Sequence, residues 1–96
     1  MLITPLMVAA AMSSLPALEV LLAGGADPNA TNEEGTTSLM YAAKESTDPA
    51  VIQTLLRSGA DAQLRDRTGS LAIDHAQSNP ALQNTYAFWE LNDASY

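Results

Sequence analysis

The chain has 96 residues, 47% of them apolar, and sets eleven acids against four Lys and Arg for a formal charge of −7. That length allows one domain with a modest core, and the apolar share argues against disorder. The absence of Cys excludes a disulfide framework, a thiol nucleophile and a Cys-ligated metal, and it fits a reducing, cytoplasmic setting.

The four cations, Lys44, Arg57, Arg65 and Arg67, are too few for a phosphate-binding surface, so nucleic acid is not expected as a partner. The opening stretch MLITPLMVAAAMSSLPALEVLLA has no positive start, is interrupted by Pro5 and carries Glu19. It therefore reads as folded helices, neither a leader nor a membrane span.

In chain order, Thr4 caps a first helix over roughly 5–12. A second helix opens at Pro16, where a missing N–H does no harm, buries Leu21 and Leu22, and ends at Gly25. The segment DPNATNEEG (27–35) then forms an extended, turn-rich projection. Thr37 caps the next helix, 38–46, and Asp48 with Pro49 opens its partner, which buries Leu55 and Leu56 and ends at Gly59. DAQLRDRTG (61–69) is a second projection, followed by a helix over 72–78. Asn79 and Pro80 open a last, longer helix over 80–92. Its i, i+4, i+7 residues Leu82, Tyr86 and Trp89 are expected to face inward as a closing cap, with Gln83, Asn84 and Glu90 in water. On this reading Trp89 in solvent, or Leu22 and Leu56 in separate cores, would count against layered helices.

The elements repeat. TPLMVAAAMSS (4–14) matches TSLMYAAKEST (37–47) at an offset of 33. LLAGGAD (21–27) matches LLRSGAD (55–61), and EEGTTSLMYAA (33–43) matches RTGSLAIDHAQ (67–77), both at 34. The alanine pairs Ala9-Ala10 and Ala42-Ala43 let neighbouring helices approach closely. A period near 33, G-x-T-x-L-M-x-A-A followed by L-L-x-x-G-A-D, and a projection closed by Gly resemble the ankyrin repeat. The ending YAFWELNDASY resembles those of bacterial members.

The resemblance implies an all-α fold with short β-hairpin loops, an ankyrin solenoid of about two and a half to three repeats, here 1–34, 35–68 and 69–96. Met7, Met40 and Asp74 stand where the family usually has His, and SSLP, STDP and SNP stand where it often has Gly. Met7, Met40 and Met12 are read as packing residues. The first repeat lacks the incoming projection, which leaves Val8, Ala11, Met12 and Leu15 without cover. A folded-back Met1-Leu2-Ile3, a longer array, or self-association through this end would each supply it.

No chemistry assembles. His75 beside Asp74 offers a base and an orienting acid, yet it aligns with Val8 and Tyr41, an ordinary inter-helix position, and no nucleophile shares its spacing. No metal ligands or cofactor motif converge: Gly24-Gly25 ends a helix, and Asp27 and Asp61 recur with the turn. The chain is therefore expected not to be an enzyme. The resemblance implies protein–protein interaction through the hairpin tips and the concave helix face. The matching positions are Glu33, Glu34, Thr36, Lys44, Glu45, Arg67, Thr68, Ser70 and Ser78. Alternatives are a structural or capping piece of a larger ankyrin protein, or a small inhibitor or immunity-type regulator of an enzyme.

Overall fold

The computed structural model describes residues 3–96; Met1 and Leu2, and with them the folded-back strand, lie outside the described residues. Six α-helices follow in order: α1 (Pro5–Ala11), α2 (Leu15–Ala23), α3 (Ser38–Glu45), α4 (Pro49–Arg57), α5 (Ala72–Ala76) and α6 (Tyr86–Ala94). A 3₁₀ turn, Pro80–Leu82, precedes α6. Helices α1, α3 and α5 pack in one row, α2, α4 and α6 in another, and each helix pairs with the next across the rows.

Local chemistry places the helix starts. The Thr4 and Thr37 hydroxyls each accept the backbone N–H three residues on, both at 3.2 Å. Asp48 and Asn79 accept from Ala50 and Ala81 at 3.0 Å, just ahead of helix-opening prolines. Leu71 stands in the third copy where Thr stands in the others and offers no oxygen; Asp74 instead accepts the Leu71 N–H at 2.8 Å. That leaves half of a capping box, and α5 is the shortest of the helices. Gly25 and Gly59 end α2 and α4 with φ of 95° each, a conformation that penalises a side chain.

Small residues let the first row close up. Ala9, Ala10, Ala42, Ala43, Ala72 and Ala76 are all buried. Leu6, Leu39 and Ile73 lie beside them, and Leu18, Ile52, Leu55, Leu82 and Leu91 fill the space toward the second row. Each such Leu or Ile, fully buried, contributes on the order of 2 kcal/mol. Leu22 and Leu56 pack half-buried against this same cluster, so the helices are layered as the repeats require.

The turns between paired helices are laced across repeats. Ser13, Ser46 and Asn79 recur at an interval of 33. The Ser13 and Ser46 hydroxyls are 3.1 Å apart, and Ser13 also accepts the Thr47 N–H at 2.8 Å. The buried Asn79 amide donates to the Ala43 and Ser46 carbonyls at 3.0 and 2.8 Å. Ser13 takes a φ of 60°, which costs about 1 kcal/mol or more in a residue with a Cβ; its cross-repeat bonds to Ser46 and Thr47 offset that cost.

The last helix differs from expectation. Instead of one helix over 80–92, the chain breaks after Leu82, where Asn84 adopts a φ of 61° and the Thr85 hydroxyl caps α6 by accepting the Phe88 N–H at 3.2 Å. The break resets the helical phase. Ala87 and Leu91 now face inward, while Trp89 is 57% and Tyr86 84% exposed. The inward-facing aromatic cap is thus corrected, while the layering it was meant to test stands on the other contacts. Of the methionines read as packing, Met7 and Met40 are buried and Met12 is exposed.

Ser38 carries the one buried side-chain polar atom without a hydrogen-bond partner among the described residues. Its equivalent in the third repeat is Ala72, equally buried. Ser38→Ala removes the orphaned hydroxyl and should raise stability by about 1 kcal/mol. Thermal unfolding followed by circular dichroism should show a midpoint higher by about 4–8 °C. A lower midpoint would show that the hydroxyl is satisfied.

Candidate functional site

Each projection is organised by one side chain. In tip one (32–36) the Asn32 amide oxygen accepts the N–H groups of Glu34 and Thr36, at 2.9 and 3.0 Å. In tip two (66–70) Asp66 Oδ1 accepts the N–H groups of Thr68 and Ser70, at 2.9 and 3.0 Å, and the Thr68 hydroxyl at 2.6 Å. The outer atom of each hub then ties its tip to the following helix. Asn32 Nδ2 donates to the Tyr41 hydroxyl at 2.9 Å, and Asp66 Oδ2 pairs with His75 Nε2 at 2.9 Å. The tips are turns closed by two backbone bonds each, Asn32 N–H to Thr36 and Gly35 N–H to Asn32 in one, Asp66 N–H to Ser70 and Gly69 N–H to Asp66 in the other, and no strand pairing occurs among the described residues.

The tips also bond to each other. The Arg67 N–H donates to the Glu34 carbonyl at 2.9 Å. Gly35 has a φ of 76°, and a Cβ there would lie 3.2 Å from Asp66 Cα, so Gly permits this approach. Lower down, the Asn29 amide donates to the Gly59 carbonyl at 3.1 Å and accepts the Asp61 N–H at 2.7 Å, joining the bases of the two projections. Asp27 and Asp61 accept the N–H groups of Asn29 and Gln63, the local turn role expected of them.

Between the locked tips and the first-row helices lies a groove of about 380 Å³. Five of the nine sequence-derived residues line it: Glu34, Thr36, Lys44, Arg67 and Thr68. Glu33 lines an adjoining recess with Asn32 and Tyr41. Glu45, Ser70 and Ser78 line neither; the Ser78 hydroxyl donates to the His75 carbonyl, and Ser70 bonds within its own tip.

Met40, Tyr41, Asp66 and His75 complete the groove; from the sequence Met40 is expected to pack and His75, aligned with Tyr41, to hold an ordinary inter-helix position, and none of the four is expected at the partner surface. A signal existed: a residue able to hydrogen-bond sits nine positions before the helix position held by Tyr41 and His75 in both copies. Electrostatics set the second tip apart from the first. The hydrogen bond from Thr68, with those from Ser70 and His75, outweighs burial and holds the Asp66 carboxyl down at about 2. Neither the Lys44 ammonium nor the Arg67 guanidinium has an ion-pair or hydrogen-bond partner among the described residues.

Two stacked rows of antiparallel helix pairs with projecting tips at one edge define a helical repeat solenoid. A family model described as ankyrin repeats (3 copies) matches residues 3–84, and the chain belongs to the ankyrin repeat family. Its members are in general protein-interaction modules and are typically non-catalytic. No curated protein matches the chain. No helix among the described residues is long and apolar enough to cross a membrane.

The Asp66 hub should give stability a defined acid limb. Its folded pKa lies below the unfolded value of 3.8, so its contribution is fully present above about pH 5 and is lost as pH falls through 4 toward 2. Thermal midpoints measured from pH 6 to 2 should fall more steeply between 4 and 2 for the natural protein than for Asp66→Asn. The variant keeps an acceptor for the tip and has nothing there to titrate. Parallel curves would show that Asp66 is not held ionised by the fold.

Proposed function

We propose that the chain is a non-catalytic protein-binding module whose partner lies across the hairpin tips and the concave face of α3 and α5. The chain as one domain of three repeats, 1–34, 35–68 and 69–96, working in a cytoplasmic setting, belongs to this reading. The observation that carries it is the convergence of Glu34, Thr36, Lys44, Arg67 and Thr68 on one groove. Its walls are fixed before any partner arrives, because both tips are tied to their helices and to each other. A preformed surface binds with little ordering cost. Glu33, Glu45, Ser70 and Ser78 fall outside the groove itself and serve as a rim, where charge tunes encounter rate and selectivity.

A pull-down from native lysate with the natural protein and a Glu33→Lys/Glu34→Lys variant tests this reading. The variant is expected to lose or exchange the captured partner. Unchanged capture would remove the tips from the site.

A second reading is favoured by a separate observation. Ile3, Val8 and Met12 are 46, 46 and 73% exposed, around an apolar recess shared with Met7, Ala11 and, from α3, Tyr41. We propose that another ankyrin-type helix pair covers this face, from a second copy or a longer array. Sedimentation velocity on the 96-residue chain should show association that grows with concentration and is abolished by Val8→Glu/Met12→Glu. A single monomer boundary at all concentrations would sink the self-association.

A further inference from the structure

The groove has a polarity that the bulk of the molecule lacks. Of the chain's four Lys and Arg and single His, three line it: Lys44 from α3, Arg67 from tip two and His75 from α5. Of the two carboxylates lining the groove, Asp66 is spent and Glu34 stands on tip one. Asp66 already receives three hydrogen bonds on Oδ1 and pairs with His75 through Oδ2. The donor side is open. The Lys44 ammonium and the Arg67 guanidinium have no partner among the described residues, and the Tyr41 hydroxyl, which accepts from Asn32, keeps its own proton to give. A preformed pocket whose free donor groups outnumber its one unspent carboxylate, Glu34, calls for an acceptor-rich, anionic occupant.

We infer that the groove takes an extended segment of a partner protein bearing a single Asp or Glu, with that carboxylate seated between Lys44 and Arg67. The inference rests on the concave face being the partner-binding surface. The net charge of −7 sharpens the choice. Acidic segments are repelled by most of this surface, and beyond about 8 Å salt screens that repulsion, so an acid is admitted only where cations are at contact distance. The same argument limits the segment to one acid. Glu34 holds negative charge on tip one, beside the seat, and penalises a second carboxylate on that side. A nucleic-acid strand, with a charge at every residue, fits this arrangement poorly.

The test is selection from a library of short random peptides displayed on the full 96-residue chain, as the natural protein, as Lys44→Gln/Arg67→Gln and as Lys44→Glu/Arg67→Glu. Circular dichroism first confirms that both variants fold; their altered side chains are exposed, and the Gln pair is the milder change. The natural protein should enrich Asp or Glu at one position and deplete acids beside it. A resynthesised winner should lose about tenfold or more in affinity on the Gln variant. The Glu variant should select Lys or Arg at that position instead. Winners without an acid, or with an affinity that withstands both variants, overturn the carboxylate seat. If such winners still shift the amide resonances of Thr36, Tyr41 and Thr68, the concave face survives as the binding surface; if they shift none of these, or if nothing is selected, both readings fall. A winner that binds more than about tenfold tighter with phosphoserine in place of the acid would make this a phosphate seat and overturn the proposal.

Discussion

Everything in this molecule depends on how closely α1, α3 and α5 approach one another. Ala10, Ala42, Ala43, Ala72 and Ala76 hold that distance because a methyl is the largest side chain the interface contains there. Interiors are packed like crystals and tolerate added volume poorly. The spacing of the first row therefore sets where the second row sits and how far apart the tips emerge. No repeat could bury its own apolar face, so folding and stacking are one event.

Close packing of small residues does not by itself fix register, and here polar groups do so. The Ser13–Ser46–Asn79 series ties the inter-helix turns at one edge of the stack. The Asn29 bridge and the Arg67–Glu34 bond tie the projections at the other. Each of these bonds contributes about 1 kcal/mol net. Their greater effect is geometric: a slide of one repeat on the next would orphan donors and acceptors at both edges at once. The apolar core supplies most of the free energy, and the two polar edges select one arrangement of it.

The two hubs show how copying and divergence share the work. Asn32 and Asp66 hold their tips by the same pair of backbone N–H groups, so the turn is conserved in shape across the repeats of this chain. The outer atom differs, an amide to Tyr41 in one and a carboxylate to His75 in the other. Shape is thereby separated from charge.

That separation also explains what could be read from the sequence. Period, helix pairs, caps at Thr4, Thr37, Asp48 and Asn79, and helix ends at Gly25 and Gly59 were all legible, because each follows from local chemistry repeated at a fixed interval. The phase of α6 was not, because a single left-handed residue at Asn84, which the composition does not demand, turned Tyr86 and Trp89 outward. The groove was half legible. Its rim residues follow from the register of the repeat, whereas Asp66 and His75 enter it only through a bond between a loop and a helix nine residues on. The concave face is uneven for the same reason: the tip-to-tip bond needs Gly35 on one side and the Arg67 N–H on the other, and among the described residues that pairing occurs once. The groove lies there because that is where two projections are locked against a helix row, and its chemistry follows from the side chains that lock leaves unspent.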